Sequence, residues 1–412
     1  MERVGIFLFN CLPHTETFIY DSFNNLYNFE PHILAKVFRK NNQFNFNKHI
    51  VRRQYASSFF IDTPLYYLKA RFFQNRLLRL ILNVRDPFSE YIRKNKIRLL
   101  HAHFALDGLY ALSLSNKCDI PLVVSLHGGY DTDAVLNIKG FPKNEFFQKV
   151  NLFTVASAHS KENLLFNGCP NEKIRVLYYG VQKMTMPERE TRREITRDGH
   201  SVKLLLVGRM TEKKGILDAV CAFSKLKKKY KNITLTIITG ERRQGSAILK
   251  EKLKGMGFTF YFNTQLGYEK KVLRYIAYVN CARQISIIGA LPHERVRQMM
   301  KEHDIFILPS RTAPDGDAEG MPLVLLEAQA AGIPVVTTLH AGNSEAIVNQ
   351  RTGYVVREGD IEGMANRLGA LINDTELRIS MGAEGKKHIE SHFSMGRHIE
   401  NLEAIYTQLL NP

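Results

Sequence analysis

Residues 309–353 read PSRTAPDGDAEGMPLVLLEAQAAGIPVVTTLHAGNSEAIVNQRTG. The stretch holds two glutamates, Glu319 and Glu327, eight positions apart. Gly320, Met321 and Pro322 follow the first, and the apolar run from Leu323 to Ala331 carries the second. Proline fits the first turn of a helix, where no amide hydrogen is needed. This places Glu319 in the loop before a helix and Glu327 roughly one and a half turns inside it. Both carboxylates can reach a ligand seated at the helix N-terminus, whose free amides and positive dipole end suit a phosphate. Carboxylates accept hydrogen bonds from hydroxyls. A ligand with a phosphate and several hydroxyls, as in a nucleotide sugar, matches both halves of that description.

Glu327 is costly to bury without partners, and the alternative for it is an exposed helix-face carboxylate. Glu319 could equally be an ordinary loop carboxylate, although Gly320 beside it allows a ligand to approach the backbone closely.

Joined to Pro309-Ser310 before and Ala331-Gly332-Ile333-Pro334-Val335-Val336 after, the stretch resembles the retaining glycosyltransferases of family four. The signature of that family is two glutamates separated by seven residues. The loop Asp315-Gly316-Asp317-Ala318-Glu319-Gly320 is most similar to bacterial exopolysaccharide enzymes of the colanic-acid type. The resemblance implies the α/β architecture called GT-B, two Rossmann-like domains with parallel sheets facing each other across a cleft. It also implies that Glu327 holds the ribose hydroxyls and Glu319 the transferred sugar.

A second string, Gly208-Arg209-Met210-Thr211-Glu212-Lys213-Lys214-Gly215, follows an apolar run and opens a helix. Two cations at a strand-to-helix turn can neutralise a leaving diphosphate, each charge-assisted hydrogen bond being worth roughly 1.5–3 kcal/mol. By resemblance the diphosphate ligands are Arg209 and Lys214, with Lys213 as the competing lysine. Taken alone, the string reads as a solvated basic turn. Gly342, Asn343 and Glu345, after the run at 333–338, resemble a glycine-rich turn of the family and read equally well as a helix cap.

In the N-terminal half, His127-Gly128-Gly129-Tyr130-Asp131 follows another apolar run. The family often has a histidine here that faces the sugar, and an imidazole can donate or accept a hydrogen bond. His127 is therefore the histidine of choice, with His103 and Asp131 as further sugar or acceptor contacts. His101 and His103 share one face of a strand, but no third metal ligand is evident, so no metal is expected. Thr15, Glu16 and Thr17 follow the first strand where many relatives carry a glycine pair. They are candidates for acceptor or donor contact, the alternative being a helix capped by Thr15.

The 412 residues suffice for two domains, and 44% hydrophobic content is that of an ordinary globular chain. No run approaches the roughly 20 apolar residues that span a bilayer. The N-terminal MERVGIFLFN reads as a first strand, not a signal peptide. Five dispersed cysteines without a C-x-x-C pair suit free thiols in a reducing cytosol. The net charge of +17 calls for an anionic substrate, an anionic membrane surface or nucleic acid. No zinc-finger, RNP or helix-turn-helix signature supports nucleic acid. Between Pro64 and Arg85, basic residues alternate with Leu, Phe, Tyr and Ile. That pattern suits a helix lying on anionic lipid and equally a core helix with a solvated basic side.

Short apolar runs at 4–9, 99–104, 121–127, 202–208, 233–240, 285–289, 305–310 and 333–338 alternate with helix-like stretches. Such alternation predicts parallel sheets covered by helices. Two series imply an N-terminal acceptor-side domain over 1–185 and a C-terminal nucleotide-sugar domain over 200–393. The tail from 394 to 412 could return as a helix to the first domain. Residues 255–284 exceed a usual connection and read as an insertion.

There is no G-x-x-x-x-G-K-[ST] loop, H-E-x-x-H, G-x-S-x-G or dinucleotide G-x-G-x-x-G. The resemblance implies sugar transfer from a nucleoside diphosphate donor to a hydroxyl of a glycan or lipid-linked oligosaccharide, with retained configuration and no metal or other cofactor. It implies an enzyme of exopolysaccharide, capsule or lipopolysaccharide assembly; the cysteines suit the cytoplasm, and the basic segment leaves a peripheral place on the inner face of the membrane open. Two other readings fit a similar fold: a non-catalytic nucleotide-sugar-binding protein and a nucleotide-sugar epimerase.

Overall fold

The computed structural model describes residues 1–10, 16–37, 50–52, 87–129, 131–132, 135–138, 140–184, 201–240, 259–314 and 316–411. Thr15, the basic segment 64–85 and the stretch 185–200 lie outside the described residues. The chain divides into two compact units. One comprises Met1–Gly180 with Met395–Pro412, the other Val181–Ser394.

The first unit is built on a seven-stranded sheet: β1 (Glu2–Asn10), β2 (Phe29–Val37), β3 (Ile50–Arg52), β4 (Leu99–His103), β5 (Leu122–Leu126), β6 (Leu152–Val155) and β7 (Ile174–Val176). Their order is β3-β2-β1-β4-β5-β6-β7, and every pairing is parallel. A parallel sheet is buried on both faces, and β1 shows how. Val4, Ile6 and Leu8 pack with Ile399, Leu402, Ile405 and Tyr406 of the last helix, Met395–Leu410. Phe7, pointing the other way, packs against Phe88 and Ile92. Alternate side chains of a strand face opposite ways, so one run supplies two cores.

The second unit carries a six-stranded sheet: β8 (Val202–Val207), β9 (Ile233–Ile238), β10 (Ile285–Ile288), β11 (Ile305–Leu308), β12 (Val335–Thr338) and β13 (Gly353–Val356). The order is β10-β9-β8-β11-β12-β13, again all parallel. The described part of the stretch read as an insertion, residues 259–284, is an ordinary element of the fold. It holds the helix Thr259–Tyr278, which lies between β9 and β10 in the chain. Tyr268, Val272 and Ile276 enter the core beside Phe223 and Ile237, so this is the crossover helix that a β–α–β unit requires. Its length and aromatic content disguised an ordinary element. Among the described residues no helix is long and apolar enough to cross a membrane.

Candidate active site

In doubly wound sheets ligands bind beyond the carboxyl ends of the strands, where the strand order reverses. In the second sheet that point lies between β8 and β11. Residues 208–215 leave β8 there, and residues 309–320 leave β11. The two loops touch. Gly215 has a left-handed φ of 61°, and a Cβ on it would lie 1.8 Å from the carbonyl oxygen of Pro309. Only glycine lets the β8 loop press against the β11 loop in this way.

Across this contact Lys214 Nζ forms an ion pair with Glu319 Oε1 at 2.9 Å. Lys213, the competing lysine, is buried and bound elsewhere: its Nζ donates to Asp317 Oδ1 at 2.8 Å. Burial alone would push the Glu319 carboxyl up, but Lys214, Lys213 and Arg209 together outweigh it and hold its pKa at about 2. For Lys214 burial dominates and lowers the ammonium below its ordinary value; Glu319 opposes that, and Lys213 and Arg209 add to it. Arg209 is exposed, and its side chain makes no hydrogen bond or ion pair among the described residues. Its Cγ lies where a Cβ on Gly240 would be 3.1 Å away, so the arginine stem runs over the end of β9.

Pro322 stands at the N-cap of the helix Leu323–Ala330, one position ahead of the first turn. Met321 and Pro322 are buried and Leu323 half-buried. Gly320 is buried, and its carbonyl accepts the Gly342 amide at 2.9 Å. That bond ties the glutamate loop to the 3-10 turn Ala341–Glu345. Asn343 lies fully buried in this turn, donating Nδ2 to Thr337 Oγ1 at 3.0 Å. Glu327 is buried on the helix and paired with His293 Nε2. His293 opens the helix His293–Lys301 after β10. The sequence reading passed over His293, although it follows a strand by a short Gly-Ala-Leu-Pro loop, the same placement that drew attention to His127.

The first unit holds a second polar cluster. His103 Nδ1 meets His127 Nε2 at 3.0 Å, and His127 Nδ1 meets the Tyr179 hydroxyl at 2.9 Å. His101 is bonded to Tyr406 at 2.6 Å and to Ser125 at 2.7 Å. Burial, reinforced by neighbouring imidazoles, lowers the pKa of His101 and of His127 to about 3 and takes that of His103 well below the ordinary value. All three are therefore neutral at physiological pH. Both ring nitrogens of His127 are already engaged, so a sugar hydroxyl could bond to it only by displacing His103 or Tyr179. The cavity these rings line, about 20 Å³, has room for about one water.

Asp131 has a structural place in the same cluster. It is buried, and its two oxygens accept the Ala105 amide at 2.9 Å and the His127 amide at 3.0 Å. It joins the loops after β4 and β5, and burial outweighs the two amide donors to raise its pKa to about 6. Glu16 is the N-cap of the helix Thr17–Asn24 but makes no side-chain capping bond. Burial, then Asp107 and Asp131, push its carboxyl up to about 8. Thr17 is buried in the first turn.

Comparison with known proteins settles the family. The description "Glycosyl transferases group 1" matches residues 187–388 and "Glycosyltransferase Family 4" matches residues 47–183. The chain belongs to these glycosyltransferases. WcaL of Escherichia coli (strain K12), named for colanic acid biosynthesis, is 29% identical over 71% of this chain and 66% of its own length. The amylovoran biosynthesis glycosyltransferase AmsK of Erwinia amylovora is 32% identical over 59% of this chain and 50% of its own. The chain thus matches half to two thirds of the length of these two relatives. Among solved structures, sucrose-phosphate synthase from Thermosynechococcus elongatus covers all of both chains with a TM-score of 0.72 at 15% identity. HepE of Anabaena, in complex with UDP and glucose, has a TM-score of 0.67 at 15% identity and covers 99% of each chain. These likenesses fix the glycosyltransferase fold as GT-B.

Proposed function

We propose that this glycosyltransferase moves a sugar from a nucleoside diphosphate donor to a hydroxyl of a lipid-linked glycan, with retained configuration, in the assembly of a bacterial surface polysaccharide. The observation that carries the reading is the Lys214–Glu319 ion pair at the strand-order reversal of the second sheet, with Arg209 beside it and Glu327 on the next helix. The names of WcaL and AmsK support the polysaccharide setting. The UDP and glucose of the HepE complex support a nucleotide-sugar donor.

In this reading Arg209 and Lys214 stabilise the departing diphosphate, where negative charge develops in the transition state. A lysine whose proton is loosened by burial and by two neighbouring cations gains most from an arriving dianion. Glu319 orients the sugar hydroxyls, and Gly320, Met321, Pro322 and Leu323 bring the helix N-terminus to the donor. Glu327, set by His293, takes the ribose. His127 contributes to the sugar side only if it exchanges one of its present partners. The reaction is assigned no metal; the cations of the β8 loop do that work. In the same reading, a lipid-linked acceptor and the charge of +17 suit an enzyme that works against an anionic membrane surface on the cytoplasmic side.

The test incubates the protein with a panel of nucleotide sugars, without acceptor, and quantifies free nucleoside diphosphate. One donor should be hydrolysed slowly, and Arg209→Ala or Lys214→Ala should lower release by roughly 10²-fold or more, as for other charge-stabilising groups. Glu327→Ala should chiefly weaken donor binding. Kinetics unchanged in all three variants would sink the assignment.

A further inference from the structure

Among the described residues, the loop from β11 to the helix at Leu323 has two backbone hydrogen bonds of its own, Ala313 to Asp317 and Gly316 to Ala313, and neither reaches Glu319. Besides the Gly320–Gly342 bond and the lysine pairs, the loop is held by His340, which lies just past β12 and is 3% exposed. His340 Nε2 accepts the Glu319 amide at 3.1 Å. A ring nitrogen that accepts leaves the other to donate, and Nδ1 lies 2.6 Å from Glu358 Oε1. Glu358 Oε2 in turn accepts the Thr312 amide at 3.0 Å. The chain Thr312–Glu358–His340–Glu319 therefore ties both ends of the loop to the strands β12 and β13.

We propose that His340 is a positioning residue for donor transfer, acting through the backbone of Glu319. Lys214 fixes the carboxylate and His340 fixes the backbone that carries it, so two points determine where the oxygens lie. The functional half of this inference rests on Glu319 serving the sugar, as argued above. Glu358 orients the imidazole in the same way that a carboxylate orients a ligating histidine in a metal site, here with a backbone amide in place of the metal.

Hydrogen exchange and kinetics on the full chain test this together. In His340→Leu, amide exchange should rise in peptides covering 312–322 and stay unchanged over β8 and β9. His340→Gln, which returns an acceptor near the position of Nε2, should restore protection. Glu358→Ala, at a position partly open to solvent, should loosen the same peptides and guards against a leucine variant that fails to fold. Turnover of the hydrolysed donor should fall about tenfold to a hundredfold in His340→Leu, as expected for a displacement of about 1 Å. UDP and GDP affinities should hold, and glutamine should recover the rate. Unchanged exchange at 312–322, or a rise across the whole second unit, overturns the proposal, as does loosened exchange with unaltered kcat. If Glu319→Gln leaves turnover intact, the site assignment fails instead, and the exchange data still judge the restraint.

Discussion

Glu319 stays ionised inside the protein because three cations surround it. Its pKa of about 2 lies below the ordinary 4.5, despite burial that acts the other way. The sign of the linkage follows. A carboxylate depressed in the folded state stabilises the fold above its unfolded pKa, and that stabilisation is lost as pH falls through the folded pKa. The window runs from about 4.5 down to about 2. Glu319→Gln should flatten the stability–pH curve of the second unit within it and cost roughly 1.5–3 kcal/mol at neutral pH, the worth of a hydrogen bond to a charged group. Thermal unfolding at closely spaced pH values reads both, and an unaltered slope in the variant would refute the depressed pKa. Lys214 offsets part of the gain, since burial lowers its own proton affinity. Much of this site was legible in the residues, because the spacing of Glu319 and Glu327 and the basic turn at 209–214 are local patterns. What holds them was not legible: His293, His340 and Asp317 reach Glu327, Glu319 and Lys213, and Glu358 reaches His340, only through the folded sheet.

At the scale of elements, hydrophobic runs located β1, β4, β5, β8, β9, β10, β11 and β12 because each is continuous and apolar. The strands that escaped are short or interrupted. β2 contains Pro31, which argues against a strand flanked on both sides, yet β2 lies between β1 and β3. Among the described residues β3 pairs only with Ile33–Ala35, so the described ladder on that side begins past Pro31. The last helix, Met395–Leu410, shows an element whose role depends on contacts far along the chain. Glu403 accepts the Tyr27 amide at 2.6 Å and the Asn28 amide at 2.8 Å. His398 bonds the Tyr178 carbonyl at 2.7 Å, and Tyr406 closes over His101. Ending the chain at Ser394 should therefore expose Val4, Ile6 and Leu8 and abolish cooperative melting of the first unit. The second unit, which contains none of these contacts, should melt as before. Calorimetry resolving two transitions would show one lost and one kept, and retention of both would contradict the packing.

For the whole molecule, the excess of cations is a property no single site uses up. The pair of lysines and the arginine at 209–214 account for three of the 57 basic residues. Between Pro64 and Arg85 stand Lys69, Arg71, Arg76, Arg79 and Arg85 with no acidic residue among them, interleaved with Leu, Phe and Tyr. Each cation near an anionic surface is worth about 1 kcal/mol, enough in sum to hold a protein at a membrane, where the proposed lipid-linked acceptor would reside. Such attraction is screened as the Debye length shrinks from about 10 Å at 0.1 M salt to about 3 Å at 1 M. The protein should sediment with vesicles containing anionic lipid at low salt and be released at high salt. Replacing Arg71, Arg76 and Arg79 by glutamate should abolish sedimentation while leaving donor hydrolysis intact, because these residues are remote in sequence from every donor contact assigned above. Equal binding to neutral vesicles would refute the electrostatic origin. Loss of folding in the triple variant, with no vesicle binding by the parent, would instead assign the segment to the core of the first unit.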